Sequence, residues 1–329
     1  MAQPQVGSLD RYLTDFSIRG HCLRPRRTVV TVTVPGVSAV RERIATALFE
    51  RVAGTEGPER RDRIQLSEGP RWFAEDRPIR QVHADASMFV GGLRALLLQS
   101  LHPLAMAGVA GHSGFRGDPW GRLQRTSHFL AVTSFGTESD AEAMIAKIRR
   151  IHERVQGTAP DGRPYAASDP HLLRWVHVAE VDSFLYAYQR YGAHPLDQAG
   201  RDGYVTDTAK VAAALGVIDP PTTEAQIRAE LTAYRPELGG TREARDAARF
   251  MLLQPPLPLA VRPPYGLLAA AAVASLPWWA RWPLRLPYLP VAEATVVRLA
   301  GDGLVRTIRW AMAPPESAPP GSAPPHSAA

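Results

Sequence analysis

The sequence predicts an all-α fold, a single irregular bundle of about ten helices followed by a disordered C-terminal tail. Three features carry that reading. Apolar residues from position 85 to 312 recur at helical rather than alternating spacing. Helix start and stop signals bracket them, several being Thr followed by an acidic residue. Proline clusters at 219–221, 255–258, 263–264 and 283–290 separate the segments, and no alternation of strands with helices suggests a parallel sheet.

Taken in order, residues 1–63 read as an N-terminal arm. The β-branched run Thr28–Pro35 predicts a short strand, Val40–Val52 a helix, and the polar residues 53–63 a loop. Residues 64–313 form the helical domain. Ser87–Leu101 is a long apolar segment that Pro103 kinks or restarts, and Arg122–Ser134 follows the loop GHSGFRGDPWG, with Gly121 or Asp118 as its cap. Ser139–Gln156 opens on a capping-box pattern, Ser139 with Glu142, and closes at Gly157. The stretch TAPDGRPYAASDP is a loop; Asp169 then caps a helix with Pro170 at its first position, running to Tyr191 and stopping at Gly192. Further helices are predicted at Thr206–Leu215, Thr223–Tyr234, Thr241–Leu253, Tyr265–Leu276 and Pro290–Met312. From 314 to 329 the chain is almost wholly Pro, Ser, Ala and Gly and cannot bury apolar surface.

Composition narrows the chemistry. A 329-residue chain buries about three quarters of its unfolded surface and needs no disulfide staples. Its one cysteine, Cys22, excludes an intramolecular disulfide, a cysteine zinc site, an iron–sulfur cluster and a covalent c-type haem. The net charge of +6 comes almost entirely from arginine, Lys147 and Lys210 being the only lysines. A GC-rich genome accounts for most of that bias, and recognition of carboxylate or phosphate for a few positions. The basic residues are scattered and no nucleic-acid motif is present, so no nucleic-acid partner is expected. No GxSxG, P-loop, GxGxxG, HExxH or Glu-x-x-His pattern occurs. Without a basic start and apolar run, the chain is expected to be cytoplasmic.

The remaining candidates are histidines and arginines. His152 shares a face with Ile148 and Val155. It reads either as a core histidine bonded to a backbone carbonyl or as an axial ligand to a buried metal or haem. His177 is its rival, with Glu180 three residues on as a partner, on a helix rich in aromatic residues. Arg122 and Thr126 stand four apart. Basic residues so near a helix start oppose the macrodipole, which an anion would relieve. His102 and His112 read as structural or loop residues. The Trp-rich, arginine-flanked segment 265–288 reads as a buried helix plus proline-rich loop, or as a peripheral membrane contact that would make the chain a non-enzymatic binding protein at a membrane surface.

HPLAMAGVAGHSGFRGDPWGRLQRT and RRIHERVQGTAPDGRPYAASDPHLLRWVH together resemble the oxygenase MpaB / latex-clearing protein (rubber oxygenase) family, in its short bacterial members, over roughly residues 70–310. The combination R-x-x-[K/R]-T and, on a later helix, R-x-x-H carries the likeness. What the resemblance implies is an all-α oxygenase domain holding non-covalent b-type haem (iron), with a hydrophobic small-molecule or isoprenoid-like substrate and O₂ as partners. It places the axial histidine on His152, with His177 the alternative from the residues alone. Cofactor-binding positions fall on Arg122, Arg149 and His152, and distal catalytic positions on Arg125 and Thr126. Two positions depart from the family. A lysine able to approach the iron is Arg125 here, and an arginine four after the histidine is Gln156. Arginine stays protonated and cannot ligate iron as a neutral amine does, so polyisoprene cleavage is not carried over.

Overall fold

A computed structural model describes residues 35–112 and 117–313, and the side chains of 41–112 and 117–313. The fold is all-α. Fourteen helices are numbered here: α1 Pro35–Ala53, α2 Gly57–Leu66, α3 Pro78–Ala84, α4 Met88–Gln99, α5 Pro103–His112, α6 Pro119–Phe135 and α7 Glu138–Arg154, then α8 Pro170–Tyr191, α9 Gln198–Leu215, α10 Glu224–Tyr234, α11 Arg242–Leu253, α12 Arg262–Ser275, α13 Trp278–Arg281 and α14 Arg298–Met312. That exceeds about ten because prolines and short turns divide what the sequence joins. Pro103 separates α4 from α5 at a bend of 105°. The predicted helix from Pro290 begins as Pro290–Ala292 and passes through a π turn, Glu293–Val297, before α14.

Several local expectations need correction. Residues 57–66 are helical, with Pro58 in the first turn. The cap of α7 is Thr137, whose hydroxyl accepts from the Asp140 amide, two residues before the predicted Ser139. Helix α7 ends at Arg154, and Gly157 lies instead in β1 (Gln156–Thr158), antiparallel to β2 (Pro164–Ala166). The predicted loop thus contains half a hairpin. By contrast, Asp118 caps α6, and Asp169 caps α8, which runs from Pro170 to Tyr191. The predicted strand at Thr28–Pro35 lies outside the described residues except Pro35, which opens α1, and the tail 314–329 lies outside them.

The core centres on α8, which packs along α4. Trp175, Val178, Ala179 and Val181 are buried there, and Trp175 donates its indole N–H to the Gln99 carbonyl at 3.1 Å. A Cβ on Gly91 would stand 2.8 Å from the Phe184 ring and 3.2 Å from its Cα, so glycine permits the close approach of α4 to α8. Buried Arg94 donates to Ser183 at 2.6 Å and to the Ser275 carbonyl at 2.9 Å, tying α4 to α8 and α12. Arg309 grips Asp85 with two bonds of 2.9 and 3.0 Å and holds α14 to the α3–α4 turn. Helix α1 packs on α6 and α14. Among the described residues, no single helix is long and apolar enough to cross a membrane.

Candidate functional site

Five helices close on one another as a ring, α3 on α6, α6 on α7, α7 on α9, α9 on α8 and α8 back on α3, with α3 also packed directly across it on α9. Several polar groups on these helices are removed from water. On α3, His83 bridges the ring, its Nδ1 2.7 Å from Ser134 Oγ of α6 and its Nε2 3.2 Å from Tyr204 Oη of α9. Burial pushes the His83 pKa down to about 3, so the ring is neutral.

His152 sits on α7 in the row of Ala141, Ile145 and Ile148, of which Ala141 and Ile145 are fully buried. Its Nδ1 is shielded from water and has no hydrogen-bond partner, and burial lowers its pKa. An unmet ring nitrogen of this kind costs about 1–3 kcal/mol in a folded protein. Arg149, one turn earlier, is exposed and turned to the end of α9, where Nη1 stands 3.5 Å from the Ala214 carbonyl. It lines an open groove with Trp72, Glu142 and Glu153 that does not include His152.

On α6, Asp118 accepts from the Gly121 amide at 2.9 Å and from Arg125 Nη1 at 3.0 Å. Arg125 and Thr126 are exposed. Arg122 is half-buried; burial, helped by the like charge of Arg125, lowers its pKa. An anion received there would meet a poorly hydrated guanidinium.

His177 and Glu180 stand one turn apart on α8. Burial, with Arg174 assisting, lowers the His177 pKa to about 4, and its Nε2 is buried without a partner. Burial alone raises the Glu180 pKa to about 7. The expected pairing of these two is not formed: neither enters the causes of the other's shift, and no hydrogen bond joins them. The charge of Glu180 is instead felt at Tyr204. His83, Ser134 and Tyr204 escaped the sequence reading. The available signal was Glu180 itself, an acid within the buried stripe of an aromatic helix.

A second cluster lies at the first turn of α8. His102, at the α4–α5 turn, is buried. It converges with His171 in the first turn of α8 and with Glu237 in the turn after α10, their ligand atoms within 4.8 Å of one another. His112 is exposed, with Nδ1 3.3 Å from Tyr165 Oη.

The sequence pattern of the family described as "ER-bound oxygenase mpaB/B'/Rubber oxygenase, catalytic domain" matches residues 80–310. The chain belongs to this family. The α3–α6–α7–α9–α8 ring lies almost wholly within the residues matched to this oxygenase family. Two curated relatives are uncharacterized proteins of Mycobacterium tuberculosis and Mycobacterium bovis, each 32% identical over 100 residues. That match covers 30% of this chain, and the chain spans 38% of each relative's length. No solved structure matches the chain significantly.

Proposed function

We propose that this chain is a b-type haem-dependent oxygenase acting on a hydrophobic small-molecule or isoprenoid-like substrate. The observation that carries the reading is His152 Nδ1, buried on an apolar helix face with nothing to bond. A neutral imidazole is the form that ligates iron, and burial lowers the His152 pKa, which favours that form. Arg122, half-buried on the neighbouring helix, is the cation suited to a propionate. The residues present fit the group: His152 would bind its iron and Arg122 would pair with one of its carboxylates. When bound, b-haem supplies the redox-active iron at which O₂ is activated.

The rest is work for the protein. Arg122 would orient the group by pairing with its carboxylates. Arg125 and Thr126, one turn beyond at the exposed start of α6, offer donors on the substrate side, and Asp118 holds Arg125 in place. Arg149 positions α7 by bonding the end of α9. Glu180 at a pKa of about 7 is suited to hold or release a proton inside the ring at physiological pH.

Titration of the purified full-length chain with haemin tests the assignment. A Soret band is expected for wild type and for His177→Ala, and is lost in His152→Ala with helicity intact. Loss in His177→Ala with retention in His152→Ala would exchange the two ligands. No band in wild type would remove the haem.

One surface favours a second, compatible reading, a peripheral membrane contact. Trp282 is 85% exposed, and Trp278, Leu289, Val291, Val296 and Leu299 are also exposed. Arg262, Arg285 and Arg298 are exposed among them. Exposed Trp and Leu beside arginines suit an anionic lipid interface. The segment from 265 to 276 does not contribute as a whole, since Ala269, Ala271, Ala272 and Leu276 are core residues. Co-sedimentation with phosphatidylglycerol vesicles is expected, and its absence would remove this reading.

A further inference from the structure

We infer that His102, His171 and Glu237 form a binding site for a divalent transition-metal ion, distinct from the candidate site at His152. The three residues come from distant parts of the chain and are brought together by the junction of the α4–α5 turn, the start of α8 and the turn after α10.

The hydrogen-bond arithmetic asks for a cation. Tyr234 Oη donates to the His171 carbonyl at 2.9 Å, which uses its only proton. Its oxygen, 3.3 Å from His171 Nδ1, is left to accept, so Nδ1 carries a proton. In the neutral ring Nε2 then presents a lone pair, yet it faces Glu237 Oε2 at 2.8 Å and Oε1 at 3.0 Å. Lone pair against carboxylate is repulsive unless a positive charge lies between them. A proton on Nε2 would serve that one contact.

His102 decides between proton and metal. It is 1% exposed, and its Nε2 is buried, lacks a hydrogen bond and points at the same carboxylate, 3.4 Å from Oε2. Protons alone would need a charged His171 and a long Nε2–H contact from His102, whereas one ion takes a lone pair from each imidazole and an oxygen from Glu237. Two histidines and one carboxylate are a common donor set for zinc and for non-haem iron. The spacing is close to what an ion needs. Ligand atoms on a tetrahedral ion with bonds of about 2.0–2.1 Å stand roughly 3.3 Å apart. The His102 contact already has that span, and the His171 contact must open by about half an ångström, which two exposed side chains allow.

The surroundings fit ligation as well. The Tyr234 hydroxyl fixes the His171 ring from behind, the role that outer-shell partners play at metal sites. The Ala105 amide stands at the long limit of 3.5 Å from His102 Nδ1, a bond weak enough to yield when Nε2 gives up its proton to a metal. Arg163 is the opposing charge that reaches the cluster, and its guanidinium is already paired with Asp161 at 2.7 Å. His171 and Glu237 are half exposed, so the outer side of the ion is open to water.

Cobalt(II) added to the tag-free, haem-free full-length chain tests the proposal without reference to oxygenase activity. Expected are visible d–d bands saturating at one equivalent, displaced by zinc(II), and a higher melting temperature with zinc(II). Both effects are expected to vanish in Glu237→Gln and His171→Ala, whose side chains are exposed enough to spare the fold, and to persist in His152→Ala. Failure of the haem reading would leave this result untouched. Bands no stronger than those of the aquo ion, or bands kept in Glu237→Gln and lost in His152→Ala, would overturn the site.

Discussion

His177 and Glu180 titrate in opposite directions because the same burial disfavours both charges. The histidines set acid sensitivity. His83 and His177 hold native values of about 3 and 4 against 6.5 for the free side chain, so the unfolded chain takes up protons below pH 6.5 that the native chain refuses. Stability present above pH 6.5 is therefore lost as pH falls toward 4, and a urea midpoint that stays flat across that window would contradict the shifts. Glu180 has the reverse sign. Its native value of about 7 lies above the ordinary 4.5, so it favours folding below pH 4.5 and that contribution is lost as pH rises through 7. Glu180→Gln is expected to stabilise the apoprotein at pH 8 by roughly 1–3 kcal/mol, with a smaller effect at pH 5. Equal effects at both values would show that Glu180 is not desolvated. The inward position of His152 was legible from its spacing to Ile148 and Val155. The unmet nitrogen on it was not, since that depends on what neighbouring helices fail to offer.

At the scale of elements, capping residues were the most legible signals. Asp169, Pro170 and Gly192 delimit α8 because each acts through its own local backbone. The error at α7 came from two hydroxyl residues on either side of Glu138, Thr137 and Ser139, of which the first closes on the Asp140 amide. Thr137→Ala is expected to cost about 1 kcal/mol, read as a shift in the urea midpoint, whereas Ser139→Ala is expected to cost much less. Helix α2 was missed because GPERRDRIQL has no continuous apolar face, and the short hairpin because three-residue strands carry no alternation. The α4–α8 contact makes a sharper demand. Gly91→Ala pushes a methyl group into the Phe184 ring and backbone, and a loss of about 1–3 kcal/mol is expected from such overpacking. An unchanged melting temperature would show that the two helices have room to separate.

Across the whole molecule, helical periodicity and proline spacing sufficed for the fold class, while the closed ring of helices and the His102–His171–Glu237 junction required the chain path. Contacts between residues far apart in sequence leave no local pattern to read. The apolar outer surface belongs to this scale too. Trp282→Ala is expected to weaken vesicle binding several-fold while leaving the melting temperature unchanged, since the side chain is almost wholly exposed. A destabilised variant would mean that Trp282 packs inward instead.

The account depends above all on His152 as the residue that would bind the haem iron. Chemical rescue of His152→Gly tests it most directly. The variant is expected to bind haemin poorly and to regain the wild-type Soret band when free imidazole is added, because the small base enters the space the side chain left. A full Soret band in His152→Gly without imidazole, or no recovery with it in a protein whose helicity is intact, would contradict the assignment.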